Sequence, residues 1–291
     1  HNNLGNALKD LNQLDTALRS YEQALAIKPD FAEVHYNLGI TLQGLGQLDA
    51  AVKRYEQALE IKPDYTEAFN NLGSVLKELG QLDAAVKSYE KVLTFKPDFA
   101  EAHYNLGVTL QELGQLDAAV KHYEQALEIK PDYAEAQNNL GIAHKELNQL
   151  EIAIKCYEKT LAIKPDYAEA HYNLGIAHKD LGQLDAALKS YEKALEIKPD
   201  YIEAHNNFGN TLKDLGQLDA AIKCFEKTLT IKPDYADAHN NLGNALKDLG
   251  QLDEAVKRLE KALAIEPDFA EAHYNLGGSL EGLGQLDEAL V

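Results

Sequence analysis

The 291-residue sequence predicts an all-α solenoid built from 34-residue helix-turn-helix repeats. Three observations predict it: a segment that returns at a fixed spacing, turn residues confined to the same places in every copy, and apolar residues at helical period. The segment F-A-E-V-H-Y-N-L-G at Phe31 returns at Phe99 and Phe269 with Ala in place of Val, and variants fill the gaps at a spacing of 34. With Ala32 as slot 1, complete repeats run 32–65, 66–99, 100–133, 134–167, 168–201, 202–235 and 236–269. Partial repeats 1–31 and 270–291 flank them, so 1–291 reads as a single array.

Each element follows from its residues. All eight prolines sit at slot 32, from Pro29 to Pro267. Slot 15 is Gly except at Asn12 and Asn148, and Gly and Asn are the residues that tolerate the left-handed conformation closing a helix. The pattern after each proline, as in Asp64 and Glu67, predicts an Asp N-cap with an acid three residues on. Two helices per repeat follow, roughly slots 1–14 and 17–31. In the first, Val34, Leu38, Leu42 and Leu45 share a stripe; in the second, Leu48, Ala51, Val52, Tyr55, Ala58 and Leu59 do. Gly39 at slot 8 costs about 1 kcal/mol in a helix interior relative to Ala, so its recurrence predicts a close approach there, by a neighbouring backbone. One hairpin cannot bury both stripes; stacked hairpins can.

Leu38, Gly39, Ala51, Tyr55, Ala58 and Pro63, at these spacings, resemble the tetratricopeptide-repeat (TPR) signature. The resemblance spans essentially the whole chain. It implies a right-handed superhelix whose first helices line a concave groove, and a role in binding proteins or peptides. The chain departs from the family at slot 4, which holds His, Phe or Gln where Trp is frequent. It departs again at slot 11, which holds Leu or His where Tyr is frequent.

Composition bounds the partners. Lys and Arg total 28 against 47 Asp and Glu, a formal charge of −19. That balance argues against nucleic acid and against an anionic membrane surface. No apolar run approaches the roughly 20 residues a membrane helix needs. Cys156 and Cys224 occupy one slot in two repeats 68 residues apart, too far to bridge, and unpaired thiols fit a reducing, cytoplasmic setting. The absence of Met and the His at position 1 suggest a piece of a longer protein.

The first helix carries a polar stripe at slots 2, 5, 6, 9, 12 and 13. Slot 6 is Asn in every copy: Asn3, Asn37, Asn71, Asn105, Asn139, Asn173, Asn207, Asn241 and Asn275. Asn is a mediocre helix-interior residue, but its amide donates and accepts, which suits a peptide backbone. The alternative is that it bridges adjacent helices. The stretch Asn173 to Asp180 resembles the repeats of O-linked N-acetylglucosamine transferases, which implies an asparagine ladder that contacts bound peptide. The candidate peptide-binding residues are therefore Asn37, Asn71, Asn105, Asn139, Asn173, Asn207 and Asn241, with Tyr104 and Tyr172 from slot 5 and Lys145 and Lys179 from slot 12. Ala is the better helix former, so truncating these asparagines is expected to leave stability nearly unchanged. The two-carboxylate clamp of chaperone-binding members wants Lys at slots 2 and 5, where this chain has acids and Asn or Tyr.

Seven of the ten histidines sit at slot 4. Packed helix axes lie about 8–10 Å apart, which keeps equivalent histidines from sharing an ion; no metal or other cofactor is expected. No nucleophile–base set or phosphate loop is recognisable, and the chain is not expected to be an enzyme. The leading expectation is a scaffold for a protein or extended peptide. The alternatives are a self-assembly module, or the substrate-recruiting arm of a transferase whose catalytic domain lies elsewhere. Apolar end faces including Leu4, Leu286, Leu290 and Val291 lead to an expectation of weak end-to-end association.

Overall fold

The computed structural model describes residues 1–284. Among them are seventeen α-helices and no strand. The chain forms two compact units, His1–Leu147 and Asn148–Val291. The first contains α1 (Asn2–Asp10), α2 (Leu14–Ile27), α3 (Ala32–Gly44), α4 (Leu48–Ile61), α5 (Thr66–Glu78), α6 (Leu82–Phe95), α7 (Ala100–Glu112), α8 (Leu116–Ile129) and α9 (Ala134–Glu146). The second contains α10 (Leu150–Ile163), α11 (Ala168–Asp180), α12 (Leu184–Ile197), α13 (Ile202–Asp214), α14 (Leu218–Ile231), α15 (Ala236–Asp248), α16 (Leu252–Ile265) and α17 (Ala270–Gly282). Complete first helices fill slots 1–13 and second helices slots 17–30.

Within each unit the two helices of a hairpin pack together, and each second helix packs on the next first helix. Successive first helices, such as α3, α5 and α7, also touch, whereas second helices such as α4 and α6 do not touch one another. The polar stripes of neighbouring first helices are thereby brought side by side.

Slot 15 behaves as its residues predict. Gly46 has φ +72°, and Asn12 and Asn148 take the same region at φ 57° and 58°. The Gln47 N–H donates to Leu42 O and the Gly46 N–H to Gln43 O, both at 2.9 Å, which satisfies carbonyls at the end of the first helix.

The start of the first helix differs from expectation. The residue before it is the slot-34 aromatic, Tyr65 for α5, and no side chain caps it. Asp64 lies one residue too early, in the turn. The aromatic is held by packing instead: Lys62 Nζ sits 4.4 Å above the Tyr65 ring, and the Tyr65 N–H donates to Lys62 O at 3.1 Å. The slot-4 histidines complete the turn. Six of them donate Nε2–H to the carbonyl of the proline six residues earlier, as His35 does to Pro29 and His103 to Pro97, both at 2.9 Å.

The core is a column of small residues and rings. Ala51, Tyr55 and Ala58 are fully buried, as are their counterparts Ala119, Tyr123 and Ala126. The close approach at slot 8 is to a ring rather than to a backbone. A Cβ at Gly39 would lie 2.6 Å from Cε1 of Tyr55, and one at Gly107 would lie 2.8 Å from Cε1 of Tyr123. Glycine recurs there because the slot-24 ring packs directly against the first helix.

In the amino-terminal hairpin Leu4 is 53 % exposed, Leu11 68 % and Ile27 74 %. Leu286, Leu290 and Val291 lie outside the described residues. No helix of the described residues is long and apolar enough to cross a membrane.

The glycine–ring contact decides the sign of a substitution. Helix propensity alone makes Gly73→Ala stabilising by about 1 kcal/mol. The new methyl would meet the fully packed Tyr89 ring at 2.7 Å, however, and overpacking costs about 1–3 kcal/mol. Gly73→Ala is therefore expected to lower the urea midpoint; an unchanged or raised midpoint would remove the ring from this role.

Candidate functional site

The first-helix face is built from slots that each helix presents at one register. Its slot-6 asparagines do not stand free. In the first unit, Asn37 Nδ2 donates to Asn2 Oδ1 at 3.3 Å, Asn71 to Tyr36 Oη at 3.2 Å, Asn105 to Asn70 Oδ1 at 3.4 Å and Asn139 to Tyr104 Oη at 3.3 Å. In the second, Asn207 donates to Tyr172 Oη at 3.0 Å, Asn241 to Asn206 Oδ1 at 3.1 Å and Asn275 to Asn240 Oδ1 at 3.0 Å. Each amide reaches back to slot 5 of the preceding repeat. Asn37 and Asn173 are buried, while Asn71, Asn105, Asn139, Asn207 and Asn241 remain partly exposed.

This pairing explains slot 5, which is only ever Asn or Tyr. Both side chains end in an oxygen that accepts a hydrogen bond. The alternation reads in sequence as duplication of repeat pairs; in the fold it also alternates two kinds of joint. At a tyrosine joint the ring does further packing. Tyr36 lies 4.9 Å from Tyr65 and 6.0 Å from Tyr55. Tyr104 lies 5.0 Å from Tyr133, and Tyr172 lies 4.9 Å from Tyr201. Burial, opposed in part by the asparagine hydrogen bond, raises the pKa of Tyr36 above the ordinary phenol value.

Several cations of the face reach to the next repeat. Lys179 pairs with Asp214 at 3.3 Å and Lys77 with Glu112 at 3.2 Å, each reaching slot 13 of the next repeat. Where slot 12 is Gln111, its amide makes the same reach to Glu146 at 3.1 Å. Lys145 holds the equivalent place on α9 and is partly exposed. Pairs this exposed contribute little stability, about 0–1 kcal/mol, but they remove free positive charge from the face.

The remaining reactive groups are packed away. Cys156 and Cys224 form no disulfide, and burial pushes the Cys224 thiol up to about 11, far from a reactive thiolate. Among the described residues no three or more His, Cys, Asp or Glu side chains converge as a metal cage.

Sequence reasoning found the asparagine row but not its partners; the signal available was the restriction of slot 5 to oxygen-ended side chains. The hydrogen bonds also alter the expected effect of truncation, because Asn→Ala removes a tie between repeats. A double-mutant cycle on Tyr104→Phe and Asn139→Ala should show a stability coupling of about 0.5–1.5 kcal/mol in urea unfolding. Additive effects would mean that the pair does not join the repeats.

Comparison with known proteins places the chain. The family profile described as TPR repeat matches residues 5–46, 44–80, 73–114, 209–250 and 243–284. Profiles described as tetratricopeptide repeat match residues 98–166, 168–201 and 190–223. No curated protein sequence matches. Among solved structures, MamA is 30 % identical, with a TM-score of 0.54 over 56 % of this chain and 95 % of MamA. YrrB, described as a TPR protein with an unusual peptide-binding site, is 26 % identical, with a TM-score of 0.56 over 65 % of this chain and 97 % of YrrB. A chain of the Cut9–Hcn1 assembly shares the fold at 18 % identity, with a TM-score of 0.65 over 92 % of this chain and 52 % of that one. Repeat period, punctuation, hairpin packing and profile matches agree: the chain belongs to the tetratricopeptide-repeat family.

Proposed function

We infer that the chain is a protein-interaction scaffold that holds an extended peptide against its first-helix face. The contacts are the amides of Asn37, Asn71, Asn105 and Asn139 in the first unit and of Asn173, Asn207 and Asn241 in the second. One observation carries the reading: the slot-6 amides recur at one register, and those of Asn71, Asn105, Asn139, Asn207 and Asn241 are partly exposed and oriented by a hydrogen bond to the preceding repeat. A group held in a fixed orientation loses less entropy on meeting a ligand. Tyr104 and Tyr172, beside the amides, add ring surface, and Lys145 and Lys179 flank the row at slot 12. The description of YrrB as a peptide-binding TPR protein and the transferase-like stretch Asn173 to Asp180 support the same reading. It makes the chain a binding module rather than a catalyst, able to serve as the recruiting arm of a larger protein. The two cysteines, which form no disulfide, suit a cytoplasmic setting.

The test must separate the binding amides from the inter-repeat ties. Peptides selected from a random displayed library against the intact chain would be measured against two variants. Asn71→Ala with Asn139→Ala removes amides and ties together. Tyr36→Phe with Tyr104→Phe cuts the same two ties and keeps the amides. The first variant is expected to weaken binding about tenfold or more, and the second, which releases the amides but keeps them, to weaken it distinctly less. Equal losses would make the row purely structural. No loss in either would move the ligand to another face.

A second reading, weak end-to-end self-association, is favoured by the exposure of Leu4, Leu11 and Ile27. Sedimentation should show concentration-dependent association that Leu4→Lys with Leu11→Lys abolishes. A strict monomer at high concentration would dismiss it.

A further inference from the structure

One departure from the repeat brings two imidazoles together. His122 is the single histidine at slot 23, where other copies carry Ser, Arg or Cys. On α8 it faces His103 of α7, with the two Nδ1 atoms 3.0 Å apart, ring centroids 5.3 Å apart and planes 30° apart. The carbonyl of Pro97 can only accept, so His103 donates Nε2–H to it at 2.9 Å. In its neutral form His103 therefore carries its lone pair on Nδ1, and the proton between the rings belongs to Nδ1 of His122. The pair borders a cavity of about 410 Å³ lined also by Glu90, Thr94, Pro97 and Gln125.

The geometry points to a metal site in which a divalent cation of the nickel–copper–zinc group replaces that shared proton between Nδ1 of His103 and Nδ1 of His122. Imidazole suits these ions. A ligating histidine typically gives its other N–H to a backbone carbonyl or carboxylate, which orients the ring, and Pro97 already does this for His103. An ion about 2.0–2.1 Å from each nitrogen requires the two to part to about 4 Å if they lie opposite one another, or the rings to tilt if they lie side by side. His103 is 6 % exposed and anchored, so the movement falls to the partly exposed His122. On binding, the proton leaves Nδ1 of His122 and Nε2 takes one up, so the ring stays neutral. Water fills the remaining coordination positions from the cavity.

The repeat supplies tolerated substitutions for the test. Slot 23 is Ser at Ser88 and Ser190, and slot 4 is Gln at Gln137. Ni²⁺ would be titrated by calorimetry into the full chain, His122→Ser and His103→Gln. The expected result is one Ni²⁺ site in the parent chain that weakens at least about tenfold in each variant. Identical isotherms for all three chains would overturn the assignment. Should a variant lose its helical spectrum, paramagnetic broadening of imidazole resonances in the parent decides. Broadening led by His103 and His122 supports the site, and broadening confined to other histidines overturns it.

Discussion

The stacking of this protein depends on one contact: an aromatic ring of the second helix packed against a glycine of the first. Tyr55 on Gly39, Tyr89 on Gly73, Tyr123 on Gly107, Tyr191 on Gly175 and Phe225 on Gly209 repeat it. These rings are at most 1 % exposed, and burying each contributes about 2–3 kcal/mol. The ring sets the separation of the two helices, and alanines such as Ala51 and Ala58 close the space beside it. Where slot 24 becomes Leu259 the glycine remains, because a Cβ at Gly243 would still meet Leu259 Cγ at 2.7 Å. A helix former weaker than Ala is thus retained for space.

With the spacing set by that contact, the polar stripe of one first helix meets that of the next. The slot-6 amides and slot-5 oxygens then lie within hydrogen-bond reach across repeats, and slot-12 and slot-13 side chains do the same further along the helix. The polar face is a set of lateral ties rather than a row of solvated side chains. Ties of this kind orient the groups they use, so a structural and a binding role can reside in the same asparagine. An amide has two N–H donors and two acceptor positions, more than one inter-repeat bond consumes.

Departures from the repeat are local. Phe69 replaces the slot-4 histidine and stacks on Phe95, with centroids 6.4 Å apart, trading a hydrogen bond to a turn carbonyl for ring packing. His122 stands where other copies carry Ser, Arg or Cys, and it meets His103. Both changes join a first helix to the second helix of its own repeat: Phe69 of α5 to Phe95 of α6, and His103 of α7 to His122 of α8. In a regular array such deviations are where chemistry specific to one repeat arises.

Period, helix number, turn positions and the core stripes were legible in the sequence. Each depends on local physics: proline lacks an N–H, glycine tolerates positive φ, and apolar side chains recur with the helical turn. The conservation of Asn at slot 6 across the copies was legible too, as was the alternation at slot 5. What the tertiary structure decided is what those residues touch. Asn71 and Tyr36 are 35 residues apart and become partners only because stacking places slot 6 of one helix beside slot 5 of the one before. Asp64, which reads as a cap, is displaced from that role because the aromatic next to it is held by Lys62. Periodicity fixes which face a residue is on; only the packing distance between helices determines which atom on the facing helix it reaches.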